Sequence, residues 1–82
     1  MISKQPNGLY CRISMVVDAP TFENASKSEV ESYLRETQQL YDPLTVDEWL
    51  KEYAQPFDLA VSKITTLNMT QNEIDEWIKK VS

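Results

Sequence analysis

Apolar and polar side chains alternate along residues 9–17, which is the pattern of a β-strand with one buried face. One side of such a strand carries Leu9, Cys11, Ile13, Met15 and Val17, and the other carries Tyr10, Arg12, Ser14 and Val16. We therefore expect the first set to cover the helices that follow, and Arg12 to face solvent. The segment Asp18-Ala19-Pro20 is expected to end this strand.

The strand over residues 9–17 needs a partner for its backbone groups, and the sequence offers three. Asn7 and Gly8 both tolerate the positive φ of a two-residue hairpin turn, so residues 1–5 could pair across that turn. Residues 64–69 are a second candidate. The third is the same strand of another copy of the chain, and the pattern alone does not choose among them.

The rest of the chain has the three-and-four spacing of apolar residues that is typical of amphipathic helices. Three of these helices open with a capping box, in which a hydroxyl and a glutamate satisfy two backbone amides. The boxes are Ser26 to Glu29, Thr45 to Glu48 and Thr70 to Glu73. We predict helices over residues 27–40, 46–54, 56–65 and 71–80, the first ended by Asp42-Pro43. Pro56 favours a break near Gln55, and one kinked continuous helix is the alternative.

Together these elements predict a single α+β domain over residues 1–82, with a strand or hairpin region at 1–18 and a helical region at 26–81. A short N-terminal strand or hairpin would precede three to four short helices that pack on one small core. A core of this size contributes only about 3–5 kcal/mol unless its packing is very regular. A homodimer is therefore kept open as an alternative to a monomer.

The composition removes the residue types that most catalytic and metal sites use. There is no histidine, so neither a serine–histidine nor a cysteine–histidine nucleophile is available. The single cysteine, Cys11, cannot form a zinc site and is expected to be a buried structural thiol. Gly8 is the only glycine, which excludes a phosphate-binding glycine loop. We therefore expect no catalytic residue, no cofactor and no metal, in a protein that is not an enzyme.

The distribution of apolar residues also bears on location. No run approaches the roughly 18 apolar residues that a membrane span needs. Residues 1–6 lack the apolar centre of a signal peptide, and the lone thiol is typical of a reducing compartment. We expect a cytoplasmic protein that has no membrane partner.

The acidity of the chain is concentrated in its middle. Residues 18–58 hold ten acids and three bases, residues 1–17 hold two bases and no acid, and residues 59–82 hold three of each. Such a surface repels nucleic-acid phosphates and attracts basic protein surfaces, although acids that only maintain solubility are the alternative. The partner-binding candidates are acids on the predicted solvent faces of helices and two aromatic anchors: Glu31, Glu36, Asp47, Glu48, Glu52, Tyr53 and Trp77.

One block of sequence points to a family. It runs Gln5-Pro6-Asn7-Gly8-Leu9-Tyr10-Cys11-Arg12-Ile13-Ser14, with Val17-Asp18 and Pro20-Thr21 after it and Gln55-Pro56-Phe57-Asp58 and Asn68-Met69-Thr70 to Glu73 later. In these passages the chain resembles a group of small proteins of Gram-positive phages and prophages. The family's first helix usually opens with Met-Thr-Glu-Glu, where this chain has residues 25–29 in a less acidic form. The resemblance implies a small accessory protein in a bacterial cytoplasm and carries no activity with it.

We expect a protein that binds and modulates a host protein, most concretely an inhibitor of a host defence system. In that form, which would be similar to an anti-CRISPR protein, the acids of residues 18–58 imitate phosphates and compete for the groove of a nucleic-acid-binding host protein. One alternative is a dimeric ribbon-helix-helix regulator with Tyr10, Arg12 and Ser14 facing DNA, although the acidity opposes DNA binding. The other alternative is a structural or assembly protein of the phage.

Overall fold

In a computed structural model that describes residues 1–82, a three-stranded antiparallel sheet is combined with four helices. The strands are β1 (Ile2–Lys4), β2 (Tyr10–Ser14) and β3 (Ala19–Ala25), in the spatial order β1-β2-β3. The helices are α1 (Lys27–Glu36), α2 (Val46–Tyr53), α3 (Phe57–Ser62) and α4 (Gln71–Lys80). This architecture confirms the predicted α+β class, with an N-terminal hairpin ahead of four short helices.

The N-terminal hairpin supplies the partner that the strand after Gly8 needs. β1 pairs with β2 so that Ile2 lies opposite Arg12. Gly8, in the connecting turn, has a φ of 89°, which an L-residue rarely adopts. β3 occupies the other edge of β2, so neither residues 64–69 nor a second copy is its partner. With both edges bonded, β2 cannot form the intermolecular ribbon that a ribbon-helix-helix dimer requires.

β3 is the element that the alternating pattern does not predict. The expected strand over residues 9–17 ends with β2, and the chain turns through residues 15–18, where Asp18 has a φ of 52°. The segment with Pro20 then runs as an edge strand, a position in a sheet where proline is tolerated. The pairing of β3 with β2 is irregular at two points, and Asn24 has a left-handed backbone. These irregularities interrupt the alternation of apolar and polar side chains by which a strand is recognised in the sequence.

The early turn also corrects the expected burial of Leu9, Met15 and Val17. All three side chains are exposed, Met15 to 55 %, because none of them lies within β2. Cys11 and Ile13, which do lie within β2, are fully buried as predicted.

Helices cover both faces of the sheet, so the buried apolar residues form two clusters rather than one core. The first cluster joins one face of the sheet to α1 and α2 and consists of Ile2, Tyr10, Ala25, Val30, Leu34, Leu40, Val46 and Trp49. The second cluster joins the other face to α3 and α4 and consists of Cys11, Ile13, Ala60, Ile64, Ile74, Trp77 and Val81. The division follows from β2, where neighbouring side chains such as Tyr10 and Cys11 point to opposite faces.

Arg12 does not simply face solvent, as the pattern led us to expect. It is half-buried on the side of the first cluster, and its guanidinium carbon lies 5.7 Å from the centre of the Tyr33 ring. Its Nη1 donates a hydrogen bond to the Thr21 hydroxyl over 3.0 Å. Tyr10 and Ser14, on the same side of β2, are buried. The side of β2 that looks polar in sequence is therefore covered as well.

The helix starts are confirmed, because the chemistry that caps them is local. Complete capping boxes open α1 and α4, and α4 has the predicted bounds. Only half of the predicted box forms at α2. There the Thr45 hydroxyl accepts from the Glu48 amide, but the Glu48 carboxylate accepts from that hydroxyl instead of the Thr45 amide.

α1 ends at Glu36 and not at the predicted residue 40. Its last turn closes as a Schellman motif, in which Gln39 N donates to Leu34 O over 2.8 Å and Gln38 N makes the inner bond. Gln38 has a φ of 60°, a conformation that glycine usually supplies at this position. The sequence therefore carries no conventional stop signal there, and Asp42-Pro43 lies in the following loop.

The break between α2 and α3 falls at Gln55, as predicted. The Gln55 amide donates to Ile2 O over 2.9 Å, and Gln55 forms an isolated parallel bridge with Ser3. Pro56 then precedes the first turn of α3. A backbone N–H at this position would have no acceptor within the helix, so its absence in proline costs no helical hydrogen bond. The alternative of one kinked helix is therefore wrong, and the helix predicted over residues 56–65 is shorter than expected.

Candidate functional site

A groove lies between α2 and the loop that follows α1. It has a volume of about 690 Å³ and is lined by Gln39, Tyr41, Asp42, Pro43, Leu44, Glu48, Trp49 and Tyr53. We refer to these residues as the α2 groove. The lining combines three aromatic rings with two carboxylates and contains no basic side chain.

The loop wall of the α2 groove exists because the chain leaves the α1 helix early. Leu40 and Leu44 pack into or against the first cluster and anchor the loop on both sides of residues 41–43. A hydrogen bond of 3.1 Å from Leu44 N to Tyr41 O closes a turn between them. The three residues within this turn are consequently exposed along one side of the groove.

The floor and the opposite wall come from α2. Trp49 belongs to the first cluster and is buried, so only a small part of its ring borders the groove. Tyr53 lies one turn later, with its ring centre 5.3 Å from that of Trp49 and the two planes at 45°. Tyr41 and Tyr53 are 71 % and 54 % exposed, so these are the rings that a ligand can reach.

The carboxylates at and beside the α2 groove make few ion pairs. Glu48 makes no ion pair and accepts a hydrogen bond only from the Thr45 hydroxyl, over 3.0 Å. Asp42 has one cation near it, the Arg35 guanidinium, at 3.9 Å. Glu52 follows Glu48 by one helical turn, is exposed and makes no ion pair. Glu48 and Glu52 therefore carry negative charge that no ion pair within the chain neutralises.

The structure separates the other predicted acids from the groove. Asp47 forms an ion pair of 2.6 Å with Lys27, and this hydrogen bond raises the pKa of the Lys27 ammonium. Glu31 pairs with Arg35 at 3.2 Å within α1. Glu36, the last residue of α1, is exposed and makes no ion pair, but it does not line the groove. Of the predicted set, the groove thus brings together Glu48 and Tyr53, with Glu52 beside them.

Trp77 is not the contact anchor that we expected from the number of tryptophans. It is only 7 % exposed, belongs to the second cluster and stacks on Phe57 with ring centres 6.1 Å apart. Because the sheet separates the second cluster from α2, Trp77 cannot act together with the α2 groove. Its role is packing.

The sequence reasoning missed the loop residues Tyr41, Asp42 and Pro43. Their spacing fits no helical face, and Asp42-Pro43 was interpreted only as a helix terminator. A usable signal does exist, because an aromatic residue and an acid beside a proline in a short interhelical segment are typical of an exposed turn. An aromatic residue in an exposed turn does not contribute to a core, so this signal could have marked Tyr41 as a candidate for binding.

The residues of the N-terminal motif have a structural role. Gln5 Nε2 donates to the side-chain oxygens of Asn7 and Asn24, both over 2.8 Å, and Asn24 N donates to Gln5 Oε1 over 2.8 Å. We call these three residues the amide cluster. The amide of Asn7 reaches the carbonyl of Val81 at 3.4 Å. The motif thus ties the hairpin turn to β3 and to the end of α4.

The remaining candidates for chemistry are readily described. Burial raises the pKa of the Cys11 thiol to about 11, with the Glu23 carboxylate as a second cause, so the thiol is protonated at neutral pH. No three side chains of His, Cys, Asp or Glu are grouped so that they could hold a metal ion. None of the helices combines the length and the apolar character that crossing a membrane requires.

Comparison with known proteins adds no relative to this description. No family model matches the chain, and no curated protein and no solved structure is significantly similar to it. Function is therefore inferred from the α2 groove and from the charges beside it.

Proposed function

We propose that this protein is a non-enzymatic binding module that attaches to a basic surface of a host protein through the α2 groove and Glu52. The observation that supports this most directly is the lining of the groove, which places exposed tyrosine rings next to Glu48, a carboxylate that makes no ion pair, and Asp42, whose single ion pair is 3.9 Å long. Aromatic rings supply contact area, and the carboxylates supply charge complementarity and a faster encounter. One chain forms the whole groove, so a second copy is not needed for binding.

The most concrete form of this function is inhibition of a nucleic-acid-binding host protein in a bacterial cytoplasm. The acids Glu48 and Glu52 would occupy part of a basic surface that normally holds phosphates, and thereby compete with nucleic acid. The resemblance to small phage and prophage proteins supports a host defence protein as the partner. The lack of ion pairs at Glu48 and Glu52 supports competition for a cationic groove.

The test is a capture experiment that compares two matched pairs of neutralised acids. The first variant is Glu48→Gln with Glu52→Gln, and the control is Asp75→Asn with Glu76→Gln, which changes the net charge equally on α4. Each exposed charge contributes about 0–1 kcal/mol, so the first pair should weaken partner binding by roughly tenfold. The control pair should bind like the parent, and all proteins should have nearly the same melting temperature.

Capture is carried out from a lysate of a Gram-positive bacterium with and without nuclease treatment, at several salt concentrations. A nucleic-acid-binding protein should be recovered in both lysates and should be released by salt, because screening acts on the same charges. Recovery of nucleic acid alone would contradict the proposal. So would a partner whose binding ignores both salt and the neutralisation of Glu48 and Glu52.

A further inference from the structure

We infer that the α2 groove binds an arginine side chain of its partner, presented on an extended segment. This inference rests on the proposed function, because it names the group that a basic partner would insert. An arginine side chain has an apolar stem and a flat cation that carries five N–H donors. The α2 groove offers an apolar surface to the stem. Each of its two walls offers an exposed ring and a carboxylate to the cation: Tyr41 and Asp42 on the loop, and Tyr53 and Glu48 on α2.

The ring faces are what distinguish the α2 groove from an acidic surface. Tyr41 on the loop and Tyr53 on α2 are both more than half exposed and line the same space. A guanidinium stacks on an aromatic ring through its planar face while its edge remains free to donate hydrogen bonds. The protein already uses this pairing elsewhere, since the Arg12 guanidinium lies 5.7 Å from the centre of the Tyr33 ring.

The carboxylates supply acceptors that the free protein leaves largely unused. Asp42 is 93 % exposed at its side chain, and Arg35, its one cationic neighbour, lies closer to Glu31 at 3.2 Å than to Asp42 at 3.9 Å. Glu48 accepts only from the Thr45 hydroxyl. Because a carboxylate has about four acceptor positions, Asp42 and Glu48 can both accept from an incoming guanidinium.

The size and the charge of the groove exclude the simpler occupants. Its volume of about 690 Å³ is larger than one side chain needs, which leaves room for the backbone of the residues on either side of the arginine. A phosphate chain is repelled, since Asp42 and Glu48 line the groove and no base does. A lysine can pair with a carboxylate, but its compact ammonium cannot stack as a plane.

The two tryptophans provide the test, because one borders the groove and the other does not. The ¹⁵N-labelled full chain is titrated with the blocked peptide acetyl-Gly-Gly-Arg-Gly-Gly-amide, and the two indole N–H signals are followed by NMR. The Trp49 signal should move and saturate, while the Trp77 signal in the second cluster should stay in place. Equal movement of both signals, or of neither, would overturn the inference.

Two matched peptides identify the feature of arginine that is recognised. Citrulline has nearly the same shape without the charge and should give no saturable shift, whereas lysine should bind about fivefold or more weakly than arginine. A citrulline peptide that binds as well as arginine would show that charge is not recognised. A lysine peptide of equal affinity would show that the guanidinium plane is not recognised.

Variants of Tyr41 test the proposed stacking without disturbing the fold, since its ring is exposed. Tyr41→Ala should weaken arginine-peptide binding by about fivefold, while Tyr41→Phe should retain it, because the ring and not the hydroxyl makes the contact. Leu67→Ala, at a site in the loop before α4 that is even more exposed than Tyr41, is the control and should bind like the parent. Unchanged binding by Tyr41→Ala would overturn the inference.

The outcome also separates this inference from the proposed function. If the arginine peptide fails to bind while Glu48→Gln with Glu52→Gln still weakens capture of the partner, the acids act as a dispersed surface and only this inference is wrong. If neither the peptide nor the neutralised acids have any effect, the proposed function is wrong as well.

Discussion

Gln5 shows how a polar residue can be buried without a penalty. It is 3 % exposed, yet its amide nitrogen donates to Asn7 and Asn24 and its amide oxygen accepts from the Asn24 backbone. Its backbone N–H and carbonyl also bond within the hairpin turn, to Leu9 O and from Gly8 N. A buried polar group costs free energy only where a partner is missing, and here every atom has one.

We predict that Gln5→Ala lowers the free energy of unfolding by about 1–3 kcal/mol. The substitution leaves the Asn24 N–H without its acceptor in a partly buried site, which is more costly than losing one exposed bond. Gln39→Ala is the control, because the Gln39 side chain is exposed and bonds only to the Thr37 hydroxyl, and it should cost under about 0.5 kcal/mol. Denaturant unfolding of the three proteins measures both values, and equal losses would contradict a stabilising role of the amide cluster.

A second residue-scale prediction concerns the pH dependence of stability at Cys11. The pKa of its thiol is raised from 9.0 to about 11 by burial, so the folded protein holds this proton more tightly than the unfolded chain does. The contribution of the protonated thiol to the free energy of unfolding is therefore complete below about pH 9, and it is lost as the pH rises towards 11.

Unfolding measured between pH 8 and pH 11 should show a steeper loss of stability for the parent protein than for Cys11→Ala. All other ionisable groups are common to both proteins and cancel in the comparison. Parallel curves would mean that the thiol titrates alike in the folded and unfolded chains.

At the scale of elements, prediction succeeds where the cause is local. The starts of α1, α2 and α4 follow from a hydroxyl and a glutamate within one turn, and each is found where its sequence places it. The end of α1 depends on Gln38, a left-handed residue that is not glycine, and the strand pattern of β3 is hidden by its irregular pairing and by the left-handed Asn24. The α2 groove was missed for the same reason, since its loop wall begins at the unmarked end of α1.

We predict that Ser26→Ala and Thr70→Ala each cost about 1 kcal/mol of stability, because the hydroxyl that accepts the third helical amide is lost. Glycine at either position should cost only a few tenths of a kcal/mol, since it suits the extended cap conformation and admits water to the amides. Thermal or denaturant unfolding of the four variants gives the comparison. Alanine variants as stable as the parent protein would show that these caps do not act through the hydroxyl.

At the scale of the whole molecule, the sheet is a partition between two packed layers. The sequence predicts the α+β class but not the partition, because the second face of β2 carries Tyr10, Arg12 and Ser14 and looks solvent-facing. This face of β2 is covered by α1, through contacts such as that of Arg12 with Tyr33. Contacts of this kind cannot be predicted from the local sequence pattern. Where a helix packs is a long-range property, so periodicity along one strand could not reveal it.

We predict that substitutions on opposite sides of the sheet have additive effects on stability. Ile2→Val lies in the first cluster and Ile74→Val in the second, and each should cost about 0.5–1.5 kcal/mol. Their double mutant should equal the sum within about 0.5 kcal/mol. The comparison is the double mutant of Ile13→Val and Ile74→Val, which both lie in the second cluster. Its loss of stability should deviate more from the sum of the two single losses. A large coupling across the sheet would show that the two layers do not behave independently.

The partition also makes the protein a suitable framework for engineering. The residues that line the α2 groove and the residues of the second cluster share no side chain. A library randomised at Tyr41, Asp42 and Glu48 would therefore alter the binding face while leaving the packing of α3 and α4 untouched. New specificities could be selected on one layer while the other maintains the fold, in a chain of only 82 residues that needs no disulfide.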